Sequence, residues 1–286
     1  MNRSPMKMKT CLALLLCLGV SAAASAQQRP LVTEDPETVG AGNILIESGF
    51  EWQNDVGYPA TGLRGDLLRV PTVGVSFGFS SILELQIDGG FYDRLKVESR
   101  GPALLSPSLD FTGENTADIE DFIVATKIRL VSEAAGRPSL GIRLATKLPT
   151  SSTESGLGLD TMDFYMTGLV GKTVQSVRIV GNFGLGILSD PEFGSDPNHV
   201  LTYGASFARA LQQGLEFVAD INGRFNTRES ENDNGLDSRS GVRAGIRFTH
   251  GSVRVDGGLL FGFTANDPDF GFTGGLTYVF RGFKLP

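Results

Sequence analysis

Short segments in which apolar and polar side chains alternate recur along almost the whole chain. Residues 82–88 read ILELQID and residues 214–222 read GLEFVADIN. A period of two residues indicates β-strands with one apolar face and one polar face. The alternation predicts about twelve strands, at 43–53, 67–79, 82–95, 119–131, 138–148, 161–173, 176–188, 200–210, 214–227, 239–249, 252–264 and 270–280.

The connections between these strands alternate between short and long. Two-residue turns such as Ser80-Ser81 and Gln212-Gln213 contrast with long connections such as 96–118, which carry the glycine, proline, aspartate and asparagine of turns. Bacterial outer-membrane barrels have short periplasmic turns and long outer loops. The fold class predicted is therefore all-β: a transmembrane up-and-down antiparallel β-barrel of about 12 strands, in the outer membrane, with both termini periplasmic. Ten or fourteen strands would require one misassigned hairpin.

The N-terminus has the pattern of a secretory signal peptide. Arg3, Lys7 and Lys9 precede the apolar run 12–20, and small residues lead to an A-x-A cleavage site at 24–26. The apolar run is too short to span a bilayer as a helix. We therefore expect four parts: a signal peptide at 1–26, a periplasmic segment at 27–42, the barrel at 43–280 and a short C-terminal tail at 281–286.

Composition narrows the range of partners. Both cysteines, Cys11 and Cys17, lie in the predicted signal peptide, so we expect neither disulfides nor thiol chemistry in the mature chain. Loss of the signal's three basic residues takes the net charge from −7 to −10, which argues against nucleic acid, since that affinity comes largely from Lys and Arg. The expected partners are outer-membrane lipid and lipopolysaccharide, the barrel assembly machinery and a small-molecule solute. No cofactor is expected.

The last predicted strand carries a second signal. Thr273, Gly275, Tyr278 and Phe280 give the pattern polar-x-Gly-x-x-aromatic-x-aromatic. This pattern resembles the C-terminal signal that the outer-membrane assembly machinery reads. The tail 281–286 is a departure, because many such barrels stop at the aromatic residue.

Three stretches of the mature chain resemble one known family. They are RPLVTEDPETV at 29–39, followed by GNILIESGF at 42–50; TKLPT at 146–150; and GLTYVF at 275–280. They are similar to an outer-membrane β-barrel family labelled after the meta-pathway of phenol degradation, whose members are often called transporters. The resemblance implies a barrel with a role in the uptake of small solutes, aromatic molecules among them.

Alternation places many charged side chains on the inner face of such a barrel. The acids of the first and third strands lie beside the bases of the fourth and fifth, and opposed walls of this kind would orient a solute in the pore. We predict passive diffusion of small polar or aromatic solutes. Alternatively, the charges pair and fill a structural or adhesive barrel that does not conduct. The predicted lumen residues are Glu47, Glu51, Glu84, Asp88, Lys127, Arg129, Arg143, Lys147, Arg178, Glu216, Asp220, Arg224, Arg243, Arg247, Arg254 and Asp256.

Two further expectations concern catalysis and the longest loop. The two histidines, His199 and His250, fall at opposite ends of the predicted barrel, and no serine motif accompanies either. We therefore expect no enzyme activity and no metal site. Loop 96–118 has an apolar centre at 104–109, and we expect it to fold partly into the barrel mouth and narrow it.

Overall fold

The computed structural model describes residues 29–191, 197–226 and 235–284. The predicted signal peptide at 1–26 lies outside the described residues. The strands are β1 Asn43–Tyr58, β2 Leu63–Gly78, β3 Leu83–Gly90, β4 Asp93–Arg100, β5 Asn115–Asp118, β6 Ile123–Val131, β7 Ser139–Lys147, β8 Asp163–Val174, β9 Val177–Leu188, β10 Asn198–Gln212, β11 Leu215–Asn226, β12 Arg239–His250, β13 Val253–Gly262 and β14 Phe270–Arg281.

The fourteen strands form one closed antiparallel barrel. It has twelve wall strands, which we call staves, because two of them are each divided into two segments. β3 and β4 pair in turn with β2 and are two halves of one stave, and β5 and β6 are likewise halves of the next. β1 pairs with β14 on one side and with β2 on the other, which closes the barrel. This confirms the predicted all-β fold with twelve barrel strands.

The first four staves are longer than the sequence predicted. β1 continues to Tyr58 and β2 begins at Leu63, so their connection is 59–62 rather than 54–66. The residues that suggested a loop instead form a bulge, since Asp55 has a φ of 57° and the register shifts between Gln53 and Val56. A bulge absorbs one extra residue and bends a strand without ending it.

The faces of the barrel are the reverse of those of a soluble protein. Large apolar side chains cover the outside, with Phe183 65% exposed and Phe263 61% exposed, whereas Lys127 and Glu84 on the inside are fully buried. Trp52 stacks on Phe272 on this outer surface, with ring centroids 5.0 Å apart. In the described ranges we find no helix with the length and apolarity needed to cross a membrane.

The two ends of the barrel differ. One end, the short-turn rim, carries the tight turns and receives the chain at Asn43. The other end, the long-loop rim, carries the extended ends of the first four staves together with the loops 101–114 and 148–162.

Candidate functional site

Residues 29–42 run inside the barrel, and we call them the lumen segment. The Asp220 carboxylate on β11 accepts the backbone N–H of Val32 at 2.8 Å and that of Thr33 at 2.9 Å. Asn182 on β9 accepts the N–H of Glu34 and donates to its carbonyl, both at 2.7 Å. Wall side chains thus satisfy backbone groups that would otherwise be buried unpaired. The expectation of a periplasmic segment at 27–42 is wrong for this stretch.

Glycines on the inner wall make room for the lumen segment. A Cβ at Gly245 would lie 3.0 Å from Cγ of Pro30, and one at Gly204 would lie 2.9 Å from Oγ1 of Thr33. A Cβ at Gly141 would likewise lie 3.3 Å from Cβ of Pro36. Larger residues at these inward positions would therefore push the segment away from the wall.

Acidic side chains of the lumen segment meet basic side chains of the wall. Glu34 accepts a hydrogen bond from Nζ of Lys127 at 2.7 Å, and its second oxygen lies 3.7 Å from Nε of Arg143. Arg178 donates two hydrogen bonds to Asp35, at 2.8 and 2.7 Å. Arg129 pairs with Glu37.

The other end of the lumen segment has the opposite charge and lies on acidic wall. Arg29 donates hydrogen bonds to the hydroxyls of Thr72 and Thr273, at 2.9 and 3.0 Å. Its Nε lies 3.7 Å from the Asp256 carboxylate, whose side chain is fully buried. The segment therefore complements both walls, because its acids face the basic side and its arginine faces the acidic side.

The remaining predicted lumen residues contact one another or other polar groups inside the barrel. Arg243 reaches across β13 and β14 to Glu51 at 2.6 Å, and Arg247 reaches Glu216 at 2.7 Å. These side chains lie on the inner face of the barrel wall, and their role in transport remains a prediction. The other inward-facing positions are Glu47 beside Thr277, Glu84 beside Lys127, Asp88 beside Arg143, Lys147 beside Asp121 and Asp163, Arg224 at the carbonyl of Asp237 and Arg254 beside Glu216.

An apolar cap covers part of the long-loop rim. Five buried residues on the extended staves form its base: Val56, Leu63, Leu67, Leu95 and Val97. Loop side chains pack on this base, namely Leu109, Phe111 and Leu157. Part of the loop predicted at 96–118 thus packs at the mouth, and in the structure this loop is 101–114. That it narrows the pathway remains a prediction.

A cavity of about 610 Å³ lies in the lumen beside the segment. Its lining includes Glu34, Asp88 and Arg143 on one side and Arg224 and Arg239 on another. Several uncharged lining residues on the strands were missed from sequence, among them Tyr165, Thr167, Asn182, Thr202 and Asn222.

A second cavity of about 270 Å³ adjoins the first, since Asn222 and Arg239 line both. Arg69 and Arg243 also line it, and each is paired with a carboxylate. The described residues contain no group of three or more His, Cys, Asp or Glu side chains that could hold a metal ion. The lumen therefore offers a polar path with paired charges.

Comparison with known proteins identifies the fold. Neither a family model nor a curated protein matches the sequence. The chain is similar to an outer-membrane channel from Pseudomonas putida F1, with a TM-score of 0.60 and 15% identity over 86% of this chain and 98% of that chain. It is also similar to the translocator domain of the autotransporter NalP from Neisseria meningitidis, with a TM-score of 0.52 and 13% identity over 84% of this chain and 88% of that chain. The fold is that of outer-membrane β-barrels.

Proposed function

We propose that this chain is an outer-membrane channel for small polar or aromatic solutes, closed in the described state by its lumen segment. The observation that carries the proposal is the polar lumen that contains residues 29–42. This segment is not part of any wall strand, and its acidic and basic side chains pair with opposite charges on the walls. In the proposed orientation the long-loop rim faces outwards and both termini face the periplasm.

The bonds that hold the lumen segment suit a part that moves. Most are ion pairs and hydrogen bonds to wall side chains, such as those of Asp35 with Arg178 and of Thr33 with Asp220. Apolar packing is confined to small clusters around Leu31 and Val39. Water entering a pore can replace polar contacts of this kind, whereas it cannot replace a packed apolar core.

The aromatic part of the proposed solute range is supported by the family resemblance and by Tyr165, which lines the larger cavity together with a second tyrosine, Tyr203. Tyr165 contributes an aromatic ring to the larger cavity, whose other lining groups are mostly hydroxyl, amide and charged side chains. Rings of small aromatic solutes pack favourably on such a side chain. A link to phenol degradation belongs to the same proposal and rests on the resemblance alone.

A reversible tether tests whether the lumen segment closes the channel. The Cβ positions of residues 36 and 141 lie 3.3 Å apart, close to the roughly 3.5–4.5 Å of a disulfide. The variant P36C/G141C should conduct little in a planar bilayer when oxidised and should recover conductance when reduced. The single variants P36C and G141C are the controls and should not respond to reductant. Equal and substantial conductance of the oxidised and reduced double variant would show that solutes bypass the segment, whereas no conductance in either state would favour a barrel that does not conduct.

A structural or adhesive barrel is the second candidate. Apolar packing of the loops at the long-loop rim and the position of the lumen segment inside the barrel favour a barrel that never conducts. Deleting 30–38 separates the two candidates, because it removes the segment between Arg29 and Val39 and leaves every strand intact. A correctly inserted deletion variant that stays non-conducting would support the structural barrel.

A further inference from the structure

Four basic residues on the inner wall form a row, which we call the cation row: Lys127, Arg129, Arg143 and Arg178. Lys127 and Arg143 are directly opposed across β6 and β7. Like charges at directly opposed positions destabilise a strand pair. Glu34 of the lumen segment offsets this repulsion, since its two oxygens lie 2.7 Å from Lys127 and 3.7 Å from Arg143.

The rest of the row also binds carboxylates of the lumen segment. Arg178 donates two hydrogen bonds to the carboxylate of Asp35, at 2.8 and 2.7 Å. This bidentate arrangement recognises the planar shape of a carboxylate as well as its charge. Arg129 forms an ion pair with Glu37. Three carboxylates within four residues, at 34, 35 and 37, thus occupy one continuous basic surface.

Without the lumen segment, carboxylates of the wall neutralise the positive charge of the cation row only in part. Three of its members have wall carboxylates nearby: Glu84 lies 3.2 Å from Lys127, Asp88 lies 3.4 Å from Arg143 and Glu133 lies 2.6 Å from Arg178. Arg129 instead donates to the carbonyl of Ser81 at 2.6 Å. Four cations would then face three carboxylates, one of which, Glu133, is shared with Lys172 at 3.2 Å, and the Arg178 nitrogens that now bind Asp35 would lose that partner.

Glu133 keeps its charge at neutral pH. Burial raises the pKa of its carboxyl, but hydrogen bonds from the backbone and side chain of Thr173 and from Lys172, together with the charge of Arg178, hold that pKa below its usual value. Arg178 therefore has one permanent wall partner at the short-turn rim and one partner that leaves with the segment.

We propose that the cation row is a binding site for small molecules with two or three carboxylates, and that residues 34–37 occupy it as a tethered substitute. Such a solute displaces the lumen segment and opens the channel; the inference therefore rests on the proposed channel function. A tethered competitor acts at an effective concentration of roughly millimolar. The solute should accordingly act at millimolar concentrations and not at trace levels.

The experiment measures open probability of the wild-type channel in planar bilayers in KCl. Tricarballylate, with three carboxylates, should raise open probability several-fold at roughly millimolar concentration. Acetate and sulfate at the same ionic strength should do so much less, because neither presents several linked carboxylates. If all three anions raise open probability equally, the effect is general screening of ion pairs, and the proposed binding site is refuted.

Variants separate failure of the site from failure of the channel. E34Q/D35N/E37Q removes the tethered carboxylates, so this variant should conduct without added solute. Tricarballylate should then lower its conductance by binding in the open pore, and R178Q added to the triple variant should weaken that block. R94Q changes an exposed arginine that donates to Asn115 and serves as the matched control.

Two results would decide against the proposal in different ways. If the triple variant conducts but does not respond to tricarballylate, the proposed binding site is refuted and the proposed channel function stands. A triple variant that is inserted and closed would contradict both the displacement of the segment and the channel function proposed above.

Discussion

At the scale of single residues, Lys127 is the most constrained charge in the lumen. It is fully buried, and its ammonium group lies 2.7 Å from Glu34 and 3.2 Å from Glu84. Glu84 is fully buried as well and accepts the N–H of Val39 at 2.6 Å. Removing one member of such a buried group leaves an uncompensated charge, which costs far more than a surface ion pair contributes.

The substitution Lys127→Met should therefore lower the free energy of unfolding by roughly 3 to 5 kcal/mol. Urea unfolding of the barrel in detergent micelles, followed by mobility on a gel, measures the change. The double variant K127M/E84Q should recover much of the loss, since a neutral amide still accepts the N–H of Val39. A double variant no more stable than K127M would show that shape rather than charge dominates at this position.

At the scale of elements, the extended ends of the first four staves form the base of the cap at the long-loop rim. Loop 101–114 is tied to the rim by the N–H of Leu105, which donates to the carbonyl of Ala60 at 2.7 Å. It is also anchored by Leu109 and Phe111 on the apolar base. A loop held by apolar packing is a more permanent obstruction than the lumen segment, which is held mainly by polar contacts.

Deleting residues 102–110 should raise single-channel conductance of a variant whose lumen segment is already released. The reason is that the deletion removes Leu109 and leaves the wall staves in place. Conductance of E34Q/D35N/E37Q with and without the deletion gives the comparison. Unchanged conductance would place the narrowest point of the pathway elsewhere, and would refute the prediction that the loop narrows the mouth.

At the scale of the whole molecule, the proposed orientation makes opposite predictions for the two rims. Asp110 lies in the exposed part of a long-loop-rim connection, and Gln212 ends β10 at the short-turn rim, where it is also exposed. The mature chain is expected to have no cysteine, so a single introduced thiol gives a clean signal.

In intact cells, a membrane-impermeant maleimide should label D110C and should not label Q212C. Labelling of both in lysed cells is the control for reactivity. Labelling of Q212C but not D110C in intact cells would invert the barrel and would place the lumen segment's entrance on the cell surface.

The pattern of alternation by itself determined the barrel and its inner face. A strand between lipid and a polar lumen must alternate with a period of two, so the pattern gives the fold, the number of staves and the direction of side chains such as Asp220 and Arg178. It also gave the opposed charged walls. The sequence prediction ended β1 too early, before Asp55, because turn-forming residues at a bulge look the same in sequence as those of a loop.

Only the tertiary structure decided what fills the lumen. Residues 29–42 have no strand periodicity, and nothing local distinguishes a segment below a barrel from one inside it. Their position depends on contacts between residues far apart in sequence, such as Arg29 with Thr273 and Glu34 with Lys127. These contacts exist only after β14 has paired with β1 and closed the wall. A polar inner face therefore predicts a pore in sequence, and the closed barrel shows that its charges are already matched by a segment of the same chain.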